Sequence, residues 1–317
     1  MWENIGQFFD MALAKIIVVF LVLLFANRRL PLYICLIFTS VAMGLWMNMG
    51  VESIVLVMLQ EILLPSTLIL ALVIVLIVLF SALLKNSGRL ESIVTSLRAI
   101  SSHPNVSLAL APALIGLLPM PGGAVFSAPM VETAVGEYRI KPESKLAINY
   151  WFRHVPEFIW PLYPGFILSL SIFGLEAWKL TLYQLPLSVG AVVAGVLFVL
   201  PALPVTPQNE TREGQNLFRT FFGPLAPIIM VLCLMFGLQG FAQIYGHFSG
   251  RVIPLTQHLS MTLALSAGIV YLKRECGSGF RQLSSITYNS GAFNIVLMVF
   301  AIMAFKGILH ESHTINN

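Results

Sequence analysis

Three ionisable side chains, Arg153, His154 and Glu157, lie within five residues of one another in an otherwise apolar segment. A charged side chain at the centre of a bilayer costs at least about 2.5 to 3.5 kcal/mol on insertion scales, so such groups need partners or a water-filled cavity. Arg153 and Glu157 are four residues apart, which places them on one helical face if the turn persists. Two interpretations remain open. Arg153 could snorkel to the cytoplasmic end in a purely structural pair with Glu157, or the group could line the path of a solute or a proton.

Three prolines lie within and just after this charged group. Pro156, Pro161 and Pro164 each lack a backbone donor and clash with the preceding turn, so they should break a helix near its middle. We therefore predict a discontinuous helix over residues 146–175, with the ionisable group at the break.

The second candidate stretch runs from Leu117 to Met130, Leu-Leu-Pro-Met-Pro-Gly-Gly-Ala-Val-Phe-Ser-Ala-Pro-Met. The surrounding segment, 106–131, is long and apolar enough to cross a bilayer, but its prolines and paired glycines disfavour one continuous helix. Broken backbone in hydrocarbon costs several kcal/mol for each unsatisfied group, unless protein or a water-filled cavity satisfies it. We predict a re-entrant hairpin at 105–135, with two half-helices that meet at Pro119 to Ala124.

The tip of this hairpin has the composition of an anion site. Paired glycines let the backbone approach a ligand closely, and a half-helix that begins near Ala124 would direct free N–H groups and a partial positive charge at it. Ser127 adds a hydroxyl group. The alternative is that glycine and proline merely turn the chain. The predicted substrate-binding residues are Pro119, Pro121, Gly122, Gly123, Ala124, Ser127 and Arg153, and the predicted proton-coupling residues are His154 and Glu157.

The composition is that of an integral membrane protein. Hydrophobic residues make up 57% of the 317 residues, charged residues make up 10%, and the mean hydropathy is +0.86. A net charge of +4 without a long basic run gives no indication of nucleic-acid binding. The three cysteines, Cys35, Cys233 and Cys276, form neither a metal motif nor a disulfide framework, so we expect no metal and no cofactor.

Apolar runs of about 17 to 25 residues identify the membrane spans, because a helix needs about 20 residues to cross the hydrocarbon core. Most Lys and Arg residues fall in loops that are cytoplasmic if the N-terminus is outside. We therefore predict a multi-pass protein of the inner (cytoplasmic) membrane with its N-terminus outside. The uninterrupted predicted spans are residues 11–27, 30–48, 66–84, 180–204, 223–245, 253–272 and 290–309.

The two halves of the chain look like an inverted repeat. Their first three spans run in opposite directions, and Val75-Leu-Ile-Val before Lys85 resembles Val296-Leu-Met-Val before Lys306 at the same spacing. Inverted repeats are the architecture of many secondary transporters. The second repeat would hold only three helices, so we expect it to be truncated, with a homodimer or a separate chain as a possible source of the missing half. The predicted divisions are a first repeat at 1–204 (three helices, hairpin 105–135, broken helix 146–175, helix 180–204), a cytoplasmic linker at 205–219 and a partial second repeat at 220–317.

Two motifs carry a resemblance to a known family. The run from Leu118 to Met130, followed by Tyr150-Trp-Phe-Arg-His and Trp160-Pro-Leu-Tyr-Pro-Gly165, resembles an uncharacterised prokaryotic membrane family, domain of unknown function four hundred and one. That family is grouped with the ion-transporter superfamily of organic-anion and citrate carriers. The resemblance implies an all-α, inverted-repeat bundle whose substrate site is formed by hairpin tips and helix breaks. These correspond here to Pro119–Ser127 and Arg153–Glu157.

The function that these features favour is secondary active transport of a small organic anion by alternating access, coupled to H⁺ or Na⁺. The tip amides and Arg153 would hold the anion, and His154 or Glu157 would exchange a proton. The partners would be the anion, the coupling ion and the lipid bilayer. A membrane-embedded enzyme that uses His154 and Glu157 as acid and base is the first alternative, although the sequence has no recognisable nucleophile motif. A non-transporting membrane subunit or scaffold is the second.

Overall fold

The computed structural model describes residues 12–100, 104–118, 123–135, 140–200, 217–249, 256–277 and 291–312. Within these residues every regular element is helical and no strand occurs. A 3-10 turn, Val155–Phe158, and a short π-helical segment, Gly195–Val199, interrupt the α-helices. The thirteen described α-helices are α1 (Ala12–Ala26), α2 (Leu32–Trp46), α3 (Val51–Leu63), α4 (Pro65–Asn86), α5 (Arg89–Ile100), α6 (Pro104–Gly116), α7 (Gly123–Val135), α8 (Pro142–His154), α9 (Pro164–Phe173), α10 (Ala177–Ala194), α11 (Leu217–Ser249), α12 (Gln257–Cys276) and α13 (Ala292–Glu311).

Four helical stretches of the described chain are long and apolar enough to cross a membrane. They are Pro65–Asn86, Ala177–Val199, Phe222–Ser249 and Ala292–Glu311, and each coincides with a predicted span. The other three predicted spans are occupied by α1, α2 and α12. The described chain is therefore all-α and has the helices of a membrane protein. The direction of each span and the inverted repeat stay predictions.

Large apolar side chains lie on the surface of these helices. Phe198 and Phe248 are 85% and 84% exposed, and Phe25, Phe38 and Phe173 are also mostly exposed. Apolar patches of this kind are rare on soluble monomers, whereas hydrocarbon tails solvate them without cost. The surface thus agrees with a lipid environment.

The first compact unit of the chain contains α1, α2, α3, the start of α4 and α13. α13 packs against both α2 and α3. Gly44 of α2 allows one of these close contacts, because a methyl group there would lie 2.7 Å from the side chain of Ile54 and 3.7 Å from that of Ile308. Small residues let helix backbones approach closely in membranes, where packing rather than water exclusion holds helices together.

The second compact unit contains the end of α4 and all helices from α5 to α12. Within it, α6, α7 and α8 pack against one another around a core that includes Leu108, Val131 and Phe152. α8 is also fixed to α10, since the indole Nε1 of Trp151 donates a hydrogen bond to the carbonyl oxygen of Ala191 at 2.9 Å. These contacts set the position of the C-terminal end of α8.

Arg89 joins three helices of the second unit. Its guanidinium donates to both carboxylate oxygens of Glu275 (2.5 and 2.7 Å) and to the carbonyl oxygen of Gly223 (2.6 Å), and lies 5.9 Å from the ring of Tyr271. Because Arg89 is only 14% exposed, we expect Arg89→Ala to lower the free energy of unfolding by about 1–3 kcal/mol. Thermal or denaturant unfolding in detergent measures this loss.

The matched control is Lys145→Ala. Lys145 pairs at 2.6 Å with Glu132, whose side chain is 64% exposed, and exposed pairs contribute about 0–1 kcal/mol. Equal destabilisation by the two substitutions would contradict a structural role for Arg89.

Candidate functional site

The candidate site lies where α8 stops. The helix ends at His154 and continues as the 3-10 turn Val155–Phe158, and α9 begins only at Pro164. Pro156 occupies the second position of the 3-10 turn, where its missing N–H and its ring prevent a regular α-helix. The chain therefore has an irregular stretch between two helices within the segment 146–175 that was predicted to be broken.

Two short helices pack against each other next to this break. α6 ends at Gly116 and α7 begins at Gly123, on either side of the predicted hairpin tip. Both also contact α8. Of the predicted tip residues, Pro119, Pro121 and Gly122 lie outside the described residues, and Ala124 lies in the first turn of α7. The depth of this helix pair in a bilayer stays a prediction.

Arg153 is buried between these helices, with 6% of its surface exposed. A methyl group at Gly123 would overlap Nη2 of its guanidinium and would lie 2.8 Å from Cζ and 3.0 Å from Nε. A methyl group at Gly116 would overlap its backbone carbonyl oxygen. Gly116 and Gly123 thus leave the space that Arg153 occupies next to the hairpin tip.

Arg153 lacks an internal counter-ion in the described part of the chain. Its Nε is buried without a hydrogen-bond partner there, and no described carboxylate lies within ion-pair distance. The guanidinium also faces the N-terminus of α7, where the first N–H groups have no intrahelical acceptor and carry a partial positive charge. An unpaired buried cation costs several kcal/mol, so this arrangement favours the binding of an anion from outside the chain.

Glu157 does not pair with Arg153, although their spacing would have allowed such a pair. Its Oε1 lies 2.6 Å from Nδ1 of His154 and also accepts a hydrogen bond from the Tyr163 hydroxyl. The reason is the 3-10 turn. With three residues per turn, residues three apart face each other, whereas an α-helix would bring Arg153 and Glu157 together.

The structure adds Asn149 and Tyr163 to the residues that the sequence predicted for the site. Ser127 of α7 donates a hydrogen bond of 2.6 Å to Oδ1 of Asn149, and both residues are buried. Asn149 precedes Arg153 by four residues on the same face of α8, so helical spacing was a usable signal for it. Tyr163 is the last residue of the broken stretch, and the sequence offered no indication of which side chain its hydroxyl would meet.

The ring of Tyr150 extends the polar group. Its centroid lies 4.6 Å from that of His154, at an angle of 58°. The side chains of His154 and Glu157 are 35% and 24% exposed, so the pair is more accessible than Arg153. The His154–Glu157 pair therefore lies nearer the surface of the described chain than the guanidinium does.

The described residues contain no group of three or more His, Cys, Asp or Glu side chains suited to a metal ion. A comparison with curated proteins finds no match. A family model described as "Protein of unknown function (DUF401)" matches residues 10–316, which is nearly the whole chain. The chain therefore belongs to the DUF401 family.

Proposed function

We propose that the protein is a secondary active transporter that moves a small organic anion across the inner membrane by alternating access. The observation that carries this proposal is the buried Arg153 at the N-terminus of α7, whose Nε has no partner among the described residues. A protein keeps such a costly group in a membrane helix bundle when the group has a ligand.

The chemistry of the surrounding groups favours a carboxylate as this ligand. A guanidinium presents several N–H donors in a plane that matches the two oxygens of a carboxylate. The N-terminus of α7 offers further N–H donors, and its partial charge has the same sign as Arg153. Ser127 and Asn149 lie on the two helices that meet at the site and supply polar groups at its edge.

The proposal also includes a coupling ion and a membrane topology. His154 and Glu157 would exchange a proton during transport, with Na⁺ as the alternative coupling ion, and the N-terminus would lie outside. The hairpin α6–α7 would be re-entrant, and the chain would form an inverted repeat like the carriers of the ion-transporter superfamily that its motifs resemble. Support for these finer points comes from the distribution of Lys and Arg, the broken helix and the pair of short helices.

The membrane-enzyme alternative depends on the same His154–Glu157 pair. General acid–base catalysis of acyl transfer needs a nucleophile within hydrogen-bond reach of the base. In the described residues, His154 has Glu157 as its hydrogen-bond partner and no serine or cysteine beside it. Uptake of a chemically unchanged solute distinguishes a carrier from an enzyme.

The proposal is tested by uptake of radiolabelled carboxylates, including oxalate and fumarate, into vesicles that contain the purified protein. We expect saturable uptake by the wild type and none by protein-free vesicles. Gly123→Ala should reduce uptake at least about tenfold, because the added methyl group displaces the guanidinium and weakens a charge-assisted hydrogen bond.

Gly190→Ala is the control for this substitution. Gly190 is a helical residue of α10, and no atom lies within 4 Å of a methyl group placed on it. The carrier proposal fails if no carboxylate enters above the protein-free level, and the role of Gly123 fails if both alanine variants transport like the wild type.

A further inference from the structure

Glu157 follows two basic residues in the sequence, Arg153 and His154, and its described hydrogen bonds use only one of its carboxylate oxygens. Both of its hydrogen bonds, from His154 and from the Tyr163 hydroxyl, involve Oε1. Oε2 receives no hydrogen bond from the described chain. Arg153, four residues earlier in the chain, has a buried Nε without a hydrogen-bond partner in the described chain.

We propose that Glu157 exchanges between His154 and Arg153, and that this exchange couples the binding of the anion to protonation of His154. The inference rests on the proposed function and describes how its site is regulated. The structure shows the arrangement in which Glu157 is paired with His154 and the guanidinium is available.

The physical basis is competition for one carboxylate. When His154 is protonated, the charge attraction holds Glu157, and Arg153 is left to bind an anion. When His154 is neutral, that attraction is lost, and Glu157 can turn toward Arg153, whose Nε has no partner in the described chain. Glu157 then occupies the guanidinium as an internal substitute for the solute. Each bound carboxylate therefore enters together with one proton, which goes to the imidazole of His154.

The sequence spacing allows the exchange within one turn of chain. Arginine and glutamate four residues apart can meet across a helical turn, while residues three apart meet in a 3-10 turn. A short 3-10 segment at the end of a helix is a site where both arrangements are within reach. The exchange thus requires rotation of two side chains and a small change in Val155–Phe158.

The other titratable groups on the elements around the pair are mainly tyrosine and lysine side chains. Tyr150 contacts the ring of His154, and Tyr163 donates to Glu157. Of the helices packed against the 3-10 turn, α10 carries Lys179 and Tyr183, and α6 and α9 carry no titratable residue in their described parts. Tyrosine and lysine ordinarily titrate near pH 10, whereas imidazole changes charge between about pH 5 and 8.

The test is calorimetric binding of oxalate and fumarate to the full-length protein in detergent at pH 6 and pH 8, where both probes stay fully ionised. We expect wild-type affinity to fall about 10- to 100-fold between pH 6 and pH 8, which is the usual range of coupling between two sites. Glu157→Gln should bind at pH 8 as tightly as the wild type does at pH 6. His154→Gln should bind weakly at both values, and His258→Gln, a histidine of α12 outside the site, should keep the wild-type response.

Two results would overturn the inference and can be told apart from failure of the proposed function. Equal wild-type affinity at the two pH values, or an unchanged pH response in Glu157→Gln, would refute the exchange while leaving an anion carrier intact. Absence of binding by the wild type and by Glu157→Gln at both pH values would refute the anion site itself, and the exchange with it.

Discussion

Arg153→Ala is expected to reduce the uptake of carboxylates by at least about 100-fold without unfolding the protein. The guanidinium is the buried cation of the site, and hydrogen bonds between charged groups contribute about 1.5–3 kcal/mol each, so the loss of two such bonds exceeds a factor of 100. Removal of an unpaired buried charge also relieves its desolvation cost, which offsets the cavity that alanine leaves. Parallel uptake and thermal-unfolding measurements on the same preparation separate the two effects.

Two further variants sharpen this experiment. Arg153→Lys keeps the positive charge but loses the planar set of donors, so its uptake should lie between those of alanine and the wild type. Lys145→Ala removes a partly exposed cation from the same helix, α8, and should transport normally. Wild-type uptake by Arg153→Ala would remove Arg153 from the mechanism.

Gly116→Ala is expected to destabilise the protein by about 2–4 kcal/mol, the largest stability loss of the substitutions considered. The added methyl group would overlap the carbonyl oxygen of Arg153 and would lie 2.9 Å from its carbonyl carbon and 3.2 Å from its Cα. Backbone atoms cannot rotate away as a side chain can, so α6 and α8 must separate. A lower unfolding midpoint in detergent, measured by circular dichroism, reports this loss.

The helical glycine Gly190 provides the comparison. Its replacement by alanine meets open space and should stabilise α10 by about 0.5–1 kcal/mol through helix propensity. If Gly116→Ala unfolds at or above the wild-type midpoint, the close approach of α6 and α8 at this point is wrong. A contrast between Gly116→Ala, which should lose stability, and Gly123→Ala, which should lose uptake, would separate the scaffold from the site.

The sequence was most informative where single residues restrict the backbone. Prolines at 156, 161 and 164 predicted the irregular stretch after α8, and glycines and prolines between 119 and 123 predicted separate helices on either side of them. Long apolar runs predicted the four membrane-length helices for an equally local reason. Such features need no knowledge of distant contacts.

Sequence spacing alone could not predict which side chains pair at the site. A pair of Arg153 and Glu157 would require that an α-helical turn persists. In the 3-10 turn, Glu157 pairs with His154 instead. The contact of Ser127 with Asn149 depends on how α7 packs on α8, and that packing depends on side-chain volumes along both helices. Burial of Arg153 against Gly116 and Gly123 arises in the same way.

Trp151 links α8 to α10, so that movement of one helix requires movement of the other. The Nε1–H of its indole donates a hydrogen bond to the carbonyl oxygen of Ala191. A methyl group on Gly195 would lie only 2.6 Å from this Nε1, so the two helices cannot slide past each other there. Any tilt of α8 that opens Arg153 to one side of the membrane must carry the far end of α10 with it. That end is followed by Phe198, which is 85% exposed, so in a bilayer such a tilt would have to push acyl chains aside. If the protein transports a solute as proposed, the viscosity of the bilayer would then contribute to the resistance that each turnover meets.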